Sequence, residues 1–387
     1  MLTITGEIVT PNGVLLGGSL TIDDGGTIAE VTGPRTAAPR SADIDAPGFL
    51  VLPGFVDVHV HGGGGADFMH GTKAAARQVA RTHARFGTTS LLATTLTASH
   101  EATDRAVKAV RAVLEAGPGA DEARIAGIHL EGPYICAAKR GAQPAEFVRP
   151  PDAEEFAHWI ALSGGSIRKI TLAPEIAGAK EVVRLARSQG ITASLGHTGA
   201  TAVEVEAAIE WGVTSATHVF NAMTGLHHRE PGAAGAALAR PEIVCEVIAD
   251  GVHLDPLVIR LIAAAKGPHG AVLITDAIEG AAMPDGEYTL GGFAVLVGNG
   301  TAAFADGTLA GSVLTMNAAF THLRRFAPNV TLPDAALMSS GNALRQMGRH
   351  QTRGAIAPGM TADLVILHPE TGTVEATLIS GQVAYQR

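Results

Sequence analysis

Val51-Leu52-Pro53-Gly54-Phe55-Val56-Asp57-Val58-His59-Val60-His61-Gly62-Gly63-Gly64-Gly65 is an apolar run that ends in two histidines spaced i, i+2 and then in four glycines. Read as a β-strand over 51–60, it puts His59 and His61 on one face, because successive side chains of a strand alternate. Two imidazoles aimed the same way, with a pliable loop just beyond, supply half of a metal site. A strand that merely ends in histidine explains the pair equally well, so the rest of the chain has to decide.

Downstream, strand-like and helix-like stretches alternate. Ala74 to Phe86 reads as a helix stopped by Gly87, Ser90 to Leu96 as a strand, and Glu101 to Ala116 as a helix stopped by Gly117-Pro118. Further strands are expected at Ile125–Leu130, Ile170–Leu172, Ile191–Leu195, Thr214–Val219, Ile243–Ala249 and Val272–Thr275, with helices at Ala153–Leu162, Ala179–Ser188, Ala202–Trp211 and Pro256–Ala265. Eight short apolar strands with intervening helices predict an α/β fold, a (β/α)₈ TIM-type barrel over 54–351. A doubly wound open sheet has the same periodicity. Both ends of the chain are different in kind. Leu2-Thr3-Ile4, Glu7-Ile8-Val9-Thr10, Ser19-Leu20-Thr21-Ile22 and Thr27 to Val31 are separated by Pro11-Asn12-Gly13 and Asp23-Asp24-Gly25-Gly26; Ala362 to Leu367 and Val374 to Ile379 flank Glu370-Thr371-Gly372. These are strand and turn signals. Neither end closes a core alone, so 1–53 and 352–387 are expected to pair into one small β-sandwich domain.

The 387 residues are 46% hydrophobic and 17% charged, a core-rich globular composition; aromatics are only 4%, so aliphatic side chains must fill the interior. A formal net charge of −9 lacks the basic footprint of a nucleic-acid binder. Two cysteines, Cys136 and Cys245, are too few for a disulfide framework. The N-terminus has no basic segment followed by an apolar run, and no stretch approaches the ~20 apolar residues that span a bilayer. A cytoplasmic protein without membrane or nucleic-acid partners is expected.

A barrel carries its functional side chains at the C-terminal ends of its strands. Those ends hold His59 and His61, then Glu131 in Leu130-Glu131-Gly132-Pro133, His197 in Gly196-His197-Thr198, His218 in His218-Val219-Phe220-Asn221-Ala222-Met223, His253 in Ala249-Asp250-Gly251-Val252-His253, and Asp276 in Thr275-Asp276-Ala277. Singly, each has an ordinary explanation: a satisfied strand-end histidine, a helix cap at Asp276, a turn at Asp250-Gly251. Together, His59, His61, His197 and His218 with two carboxylates at one rim, and His253 nearby, suit a divalent ion, with zinc the first choice and iron or manganese as alternatives. Such an ion lowers the pKa of bound water to about 7 and polarises a carbonyl, the chemistry of amide, ester or cyclic imide hydrolysis. Asp276 is the candidate to take the proton of the water and give it to the leaving group.

Pro53-Gly54-Phe55-Val56-Asp57-Val58-His59-Val60-His61 resembles the opening signature of the amidohydrolases, and Gly354 to Val365 resembles their return to the β-domain. The strand-end blocks above, with Arg229-Glu230-Pro231-Gly232 and Asp306-Gly307-Thr308-Leu309-Ala310-Gly311-Ser312, resemble the N-acetylglucosamine-6-phosphate deacetylase family over nearly the whole chain. The resemblance implies that Glu131, His197 and His218 hold the main metal, with Glu131 replacing the carboxylated lysine of many relatives, and that Asp276 is base and then acid. It implies sugar-phosphate contacts from Ala142, Gln143, Asn221, Ala222, Arg229, His253 and Leu309, Ala310, Gly311 and Ser312. It also implies a homodimer in which Arg229 reaches the neighbouring site.

Some members lack the His-x-His pair and use one metal; here both histidines are present, so a second ion is accommodated, one or two per subunit. Where some members have a charge-bearing histidine, this chain has Gln143, which donates a hydrogen bond but carries no charge. The alternatives weighed are a galactosamine-specific deacetylase, an N-acyl-amino-acid deacylase, a cyclic amidase, and a non-catalytic scaffold. Two further details stand beside the main reading. Cys136, in the Ile135 to Arg140 loop, reads as an inert thiol or as a redox-sensitive one, and His227-His228 next to Arg229 as a solvated pair or as added positive charge.

Overall fold

The computed structural model describes residues 1–33 and 42–387. Eight parallel strands form one sheet: Phe55–Val60, Thr88–Thr95, Arg124–Glu131, Ile167–Leu172, Thr192–Leu195, Val213–Ala216, Val244–Ile248 and Ala271–Ile274, here barrel strands 1 to 8. Each pairs with the next in chain order. An open doubly wound sheet reverses its order at a switch point; this one does not. Its ends meet instead: Asp276 N donates to His59 O at 2.9 Å and His61 N to Ala277 O at 2.9 Å. Asp57 fastens the same seam, its buried carboxylate accepting from Thr275 Oγ1 at 2.5 Å and from His59 N at 3.1 Å. The barrel is closed at this seam.

Helices Lys73–Ala84, His100–Ala116, Ala153–Leu162, Ala179–Ser188, Ala202–Trp211 and Pro256–Lys266 fall where the periodicity puts them. Their ends follow local chemistry. Thr201 caps its helix by accepting from Glu204 N while Glu204 reaches back to the cap, and Gly212 stops it. Helix Gly232–Ala239 has no apolar stripe to predict it: its sequence GAAGAALA is buried from Gly232 to Leu238, as expected of a helix that is apolar all round.

The opening strand is corrected. Residues 51–60 are not one strand but two in different sheets, Ile44–Pro53 and Phe55–Val60, broken at Gly54. A Cβ at 54 would lie 2.2 Å from Thr89 Cγ2, so only glycine lets the chain pass barrel strand 2 this closely. Ile44–Pro53 belongs to a seven-stranded sheet built from both termini, running parallel to Leu2–Thr10 and antiparallel to Leu364–Leu367. The two runs expected at 2–4 and 7–10 are a single strand with a bulge after Gly6. The sheet curls until its far parts meet: Ile28 N donates to Met360 O at 2.8 Å and Ala362 N to Gly26 O at 2.9 Å. Ile4, Ile8, Leu20, Ile28, Leu364 and Leu378 fill the fold so enclosed.

A three-stranded sheet, Gly286–Leu290, Phe293–Gly298 and Thr301–Ala303, was not anticipated. It packs Leu290, Val295 and Ala302 against Leu96, Ile278 and Ala310.

Candidate active site

The site is made where barrel strands stop. Glu131 is the last residue of strand 3, while His197, His218 and Asp276 each lie two residues past strands 5, 6 and 8. These last three have left-handed backbones, with φ of 48°, 30° and 53°. Non-glycine residues adopt that region at a cost, and such strain gathers at functional sites. Gly196 makes the bend before His197: a Cβ there would meet Thr171 Cγ2 at 2.7 Å and Thr217 Cβ at 2.8 Å.

Two triangles of donor atoms result. His59 Nε2 and His61 Nε2 are 3.3 Å apart, and Asp276 Oδ1 is 3.4 Å from the first and 3.2 Å from the second. His197 Nε2 and His218 Nε2 are 3.1 Å apart, with Glu131 Oε1 at 3.3 Å and 3.2 Å. Tetrahedral zinc with ligands at about 2.0–2.1 Å has ligand-to-ligand edges of roughly 3.3 Å. Both triangles have that edge, so the donor set fits divalent ions. Glu131 joins the two, its Oε1 3.2 Å from His59 Nε2 and its Oε2 3.3 Å from His61 Nε2.

The electrostatics agree with that assignment. Burial disfavours charge on Glu131 and on Asp276, yet His59 and the other imidazoles beside them outweigh it and hold both carboxyls below the usual range. Burial likewise opposes charge on His61, but Asp276 and Glu131 raise it to about 9.

Most of the predicted residues face one cavity of about 420 Å³: His61, Glu131, His197, His218 and Asp276, with Ala142, Gln143, Asn221, Ala222, His253, Leu309 and Gly311. His59 lies beneath it, fully buried. Ala310 is buried inside the small three-stranded sheet's core. Ser312 is turned inward, its hydroxyl donating to Thr275 O at 2.6 Å. Arg229 is exposed on a loop outside the cavity, 2.7 Å from His228 Nε2 through Nη1. Gln143 is buried and committed, its Oε1 accepting from Thr97 N at 2.7 Å and its Nε2 donating to Glu131 Oε2 at 2.6 Å.

Sequence reasoning missed what lies below and beside the rim. Glu246, in barrel strand 7, takes His59 Nδ1 at 3.1 Å and His218 N at 3.3 Å on one oxygen, and is paired through the other with Lys169 of strand 4. A carboxylate on Nδ1 fixes the tautomer that leaves Nε2 free for a metal. The signal at Glu246 was a lone charge in the run VCEVI, whereas Lys169 stands beside Arg168 in IRKITL and is not marked out. Lys139, from the quoted loop at 135–140, lines the cavity as a cation. Beneath the metal donors, His129, Thr171, Thr217 and Ser194 form a buried chain of hydrogen bonds at 2.7, 2.7 and 2.6 Å.

Residues 50–384 match the profile of the Amidohydrolase family. The chain belongs to the amidohydrolase family. Within it, the chain is 40% identical to the N-acetylglucosamine-6-phosphate deacetylase of Bacillus subtilis (strain 168), over 98% of this chain and 95% of the relative. It is 36% identical to the N-acetylgalactosamine-6-phosphate deacetylase of Escherichia coli O157:H7, over 98% and 97%. Among solved structures it superposes on the N-acetyl-D-glucosamine-6-phosphate deacetylase of Mycobacterium smegmatis, an aspartate-to-alanine mutant in complex with N-acetyl-D-glucosamine-6-phosphate, with a TM-score of 0.93, 33% identity and coverage of 100% and 99%. Amidohydrolases generally work with a divalent metal, and the two donor groups here are of that kind. Among the described residues, no helix is long and apolar enough to cross a membrane.

Proposed function

We propose that this amidohydrolase removes the acetyl group of N-acetyl-D-glucosamine 6-phosphate, giving D-glucosamine 6-phosphate and acetate, a step of amino-sugar catabolism and cell-wall sugar recycling. The observation that carries the reading is one cavity whose wall holds Asp276 and the metal donors His61, Glu131, His197 and His218 together with the basic side chains Lys139 and His253. Full-length likeness to deacetylases of such phosphates supports it.

A bound divalent ion, zinc first among the candidates, makes water acidic enough to deprotonate near neutrality and polarises the acetyl carbonyl. Asp276, held ionised by the imidazoles beside it, accepts the proton of the attacking water at its carboxylate. The oxygen of that water forms the new bond to the acetyl carbon. As the C–N bond breaks, the same carboxyl returns the proton to the amine nitrogen, so the amine leaves neutral, and the acetic acid formed gives its remaining proton to solvent to depart as acetate. Gln143, bonded to Glu131 and Thr97, holds Glu131 in place and keeps one N–H over. Being uncharged, it can donate a hydrogen bond to a developing oxyanion but cannot neutralise it. Its pairing with a complete His59–His61 set favours two ions per subunit; full activity with one ion per chain by elemental analysis would remove that part.

His253 and Asn221 are read as sugar-phosphate contacts. Arg229, exposed and outside its own cavity, is read as serving the other subunit of a homodimer. Two free cysteines fit a cytoplasmic setting.

The test is acetate release from N-acetylglucosamine 6-phosphate, its galactosamine epimer and unphosphorylated N-acetylglucosamine. The first should give the highest kcat/KM and the unphosphorylated sugar at least ~100-fold less, a loss suited to a missing charged contact. Equal rates with and without phosphate would overturn the reading, and a preference for the epimer would transfer it to the galactosamine phosphate.

A further inference from the structure

We propose that His100, Asp104 and His158 form a peripheral site for a borderline divalent cation such as Zn²⁺, joining helix His100–Ala116 to helix Ala153–Leu162 on the outside of the barrel. None of the three lines the active-site cavity. His100 and Asp104 stand one turn apart on the first helix, and His158 comes from the second. Their donor atoms lie within 4.8 Å of one another. Asp104 Oδ1 is the focus, 3.0 Å from His158 Nε2 and 3.6 Å from His100 Nε2. These separations bracket the roughly 3.3 Å edge of a tetrahedral zinc site.

The surroundings are arranged as an outer shell. His100 Nδ1 is 2.8 Å from Glu155 Oε1, so the proton is held on Nδ1 and Nε2 presents its lone pair towards Asp104. Glu155 is itself fixed, by Arg149 Nη2 at 2.7 Å, Arg149 Nε at 3.0 Å and the Tyr134 hydroxyl at 2.7 Å. Lys108 Nζ sits 3.4 Å from Asp104 Oδ2, and Trp159 Nε1 donates to Oδ1 at 3.2 Å, which leaves that oxygen a further lone pair. The two imidazoles are packed with centroids 4.9 Å apart. His100 and His158 are 42% and 44% exposed, so an ion enters from solvent and water completes its shell. Two imidazoles and a carboxylate select Zn²⁺, Ni²⁺ or Cu²⁺ over Mg²⁺ or Ca²⁺.

The experiment loads the full-length protein with Zn²⁺ until the active site is saturated, then titrates further Zn²⁺ and counts bound metal by calorimetry and elemental analysis. Wild type should take up one additional equivalent per chain, with a thermal midpoint that rises further as it fills. His158→Ala and Asp104→Asn should lose that equivalent and that rise while keeping active-site metal and catalytic rate. Mg²⁺ should give neither. No additional equivalent in wild type, or the same equivalent in wild type and both variants, would overturn the proposal.

Discussion

Asp276 and His59 show how little of a site is the reacting group alone. Asp276 makes a barrel-seam hydrogen bond through its own N–H, and His59 depends on Glu246, which is fully buried and does not line the cavity. Partners of this kind typically alter metal affinity 10- to 100-fold. Glu246→Gln should therefore weaken binding of one ion about that much, read by competition with a coloured chelator, while the ion at Glu131, His197 and His218 stays tight. Equal loss at both ions, or none, would count against this role.

His253 offers a pH test. Burial opposes its charge, but Asp250 Oδ2, 2.6 Å from Nδ1, prevails and raises the imidazole above its ordinary value. Its positive charge is thus fully present below the ordinary imidazole value and lost as pH rises through the raised one. KM for the phosphorylated substrate should climb on that alkaline side. In Asp250→Asn burial is opposed only by the weaker pull of Asp276, so the climb should begin at lower pH; superimposable KM profiles would refute the link.

At the scale of elements, the barrel's working ends were legible because each one terminates an apolar strand with a polar group, as at Leu195-Gly196-His197 and Ile274-Thr275-Asp276. Helix Gly232–Ala239 was not, since alanine and glycine on every face carry no period. The three-stranded sheet was hidden for a similar reason: Ala294 and Leu296 are exposed while Val295 and Val297 are buried, so both faces of the strand are apolar and the sequence shows no alternation. Glu246 interrupts the apolar run VCEVI while Lys169 sits beside Arg168 in IRKITL, and only the folded barrel shows that the two are buried as a pair. The break at Gly54 was masked by apolar residues on both sides of it. Gly196 tests how tightly the strand ends are built. Gly196→Ala puts a methyl against Thr171 and Thr217, an overpacking that should cost about 1–3 kcal/mol in denaturant unfolding and loosen metal at His197. Unchanged stability and unchanged metal affinity would show that the bend tolerates a side chain.

For the whole molecule, the terminal sheet clamps the base of the barrel: Arg124 of barrel strand 3 reaches Asp363 Oδ2 at 3.2 Å and Ser380 Oγ at 2.8 Å. The rim above is left to chemistry and, on the homodimer reading, to a second subunit. Arg229→Ala and Asp276→Asn subunits should each be nearly inactive alone. Mixed and allowed to exchange, they should recover up to about a quarter of wild-type activity, because a hybrid carries one site with both groups if Arg229 acts across the interface. No recovery in verified hybrids would assign Arg229 to its own chain or to no site.

The central claim is metal-dependent deacetylation with Asp276 as the proton carrier. Its most direct test is acetate release from N-acetylglucosamine 6-phosphate by wild type and Asp276→Asn, both brought to the same measured metal content, and by wild type after chelation and after metal is restored. The account predicts release by wild type, loss on chelation, recovery on reloading, and a variant that binds substrate yet turns over at least ~100-fold more slowly. Undiminished release from the chelated enzyme, or from the metal-loaded variant, would contradict it.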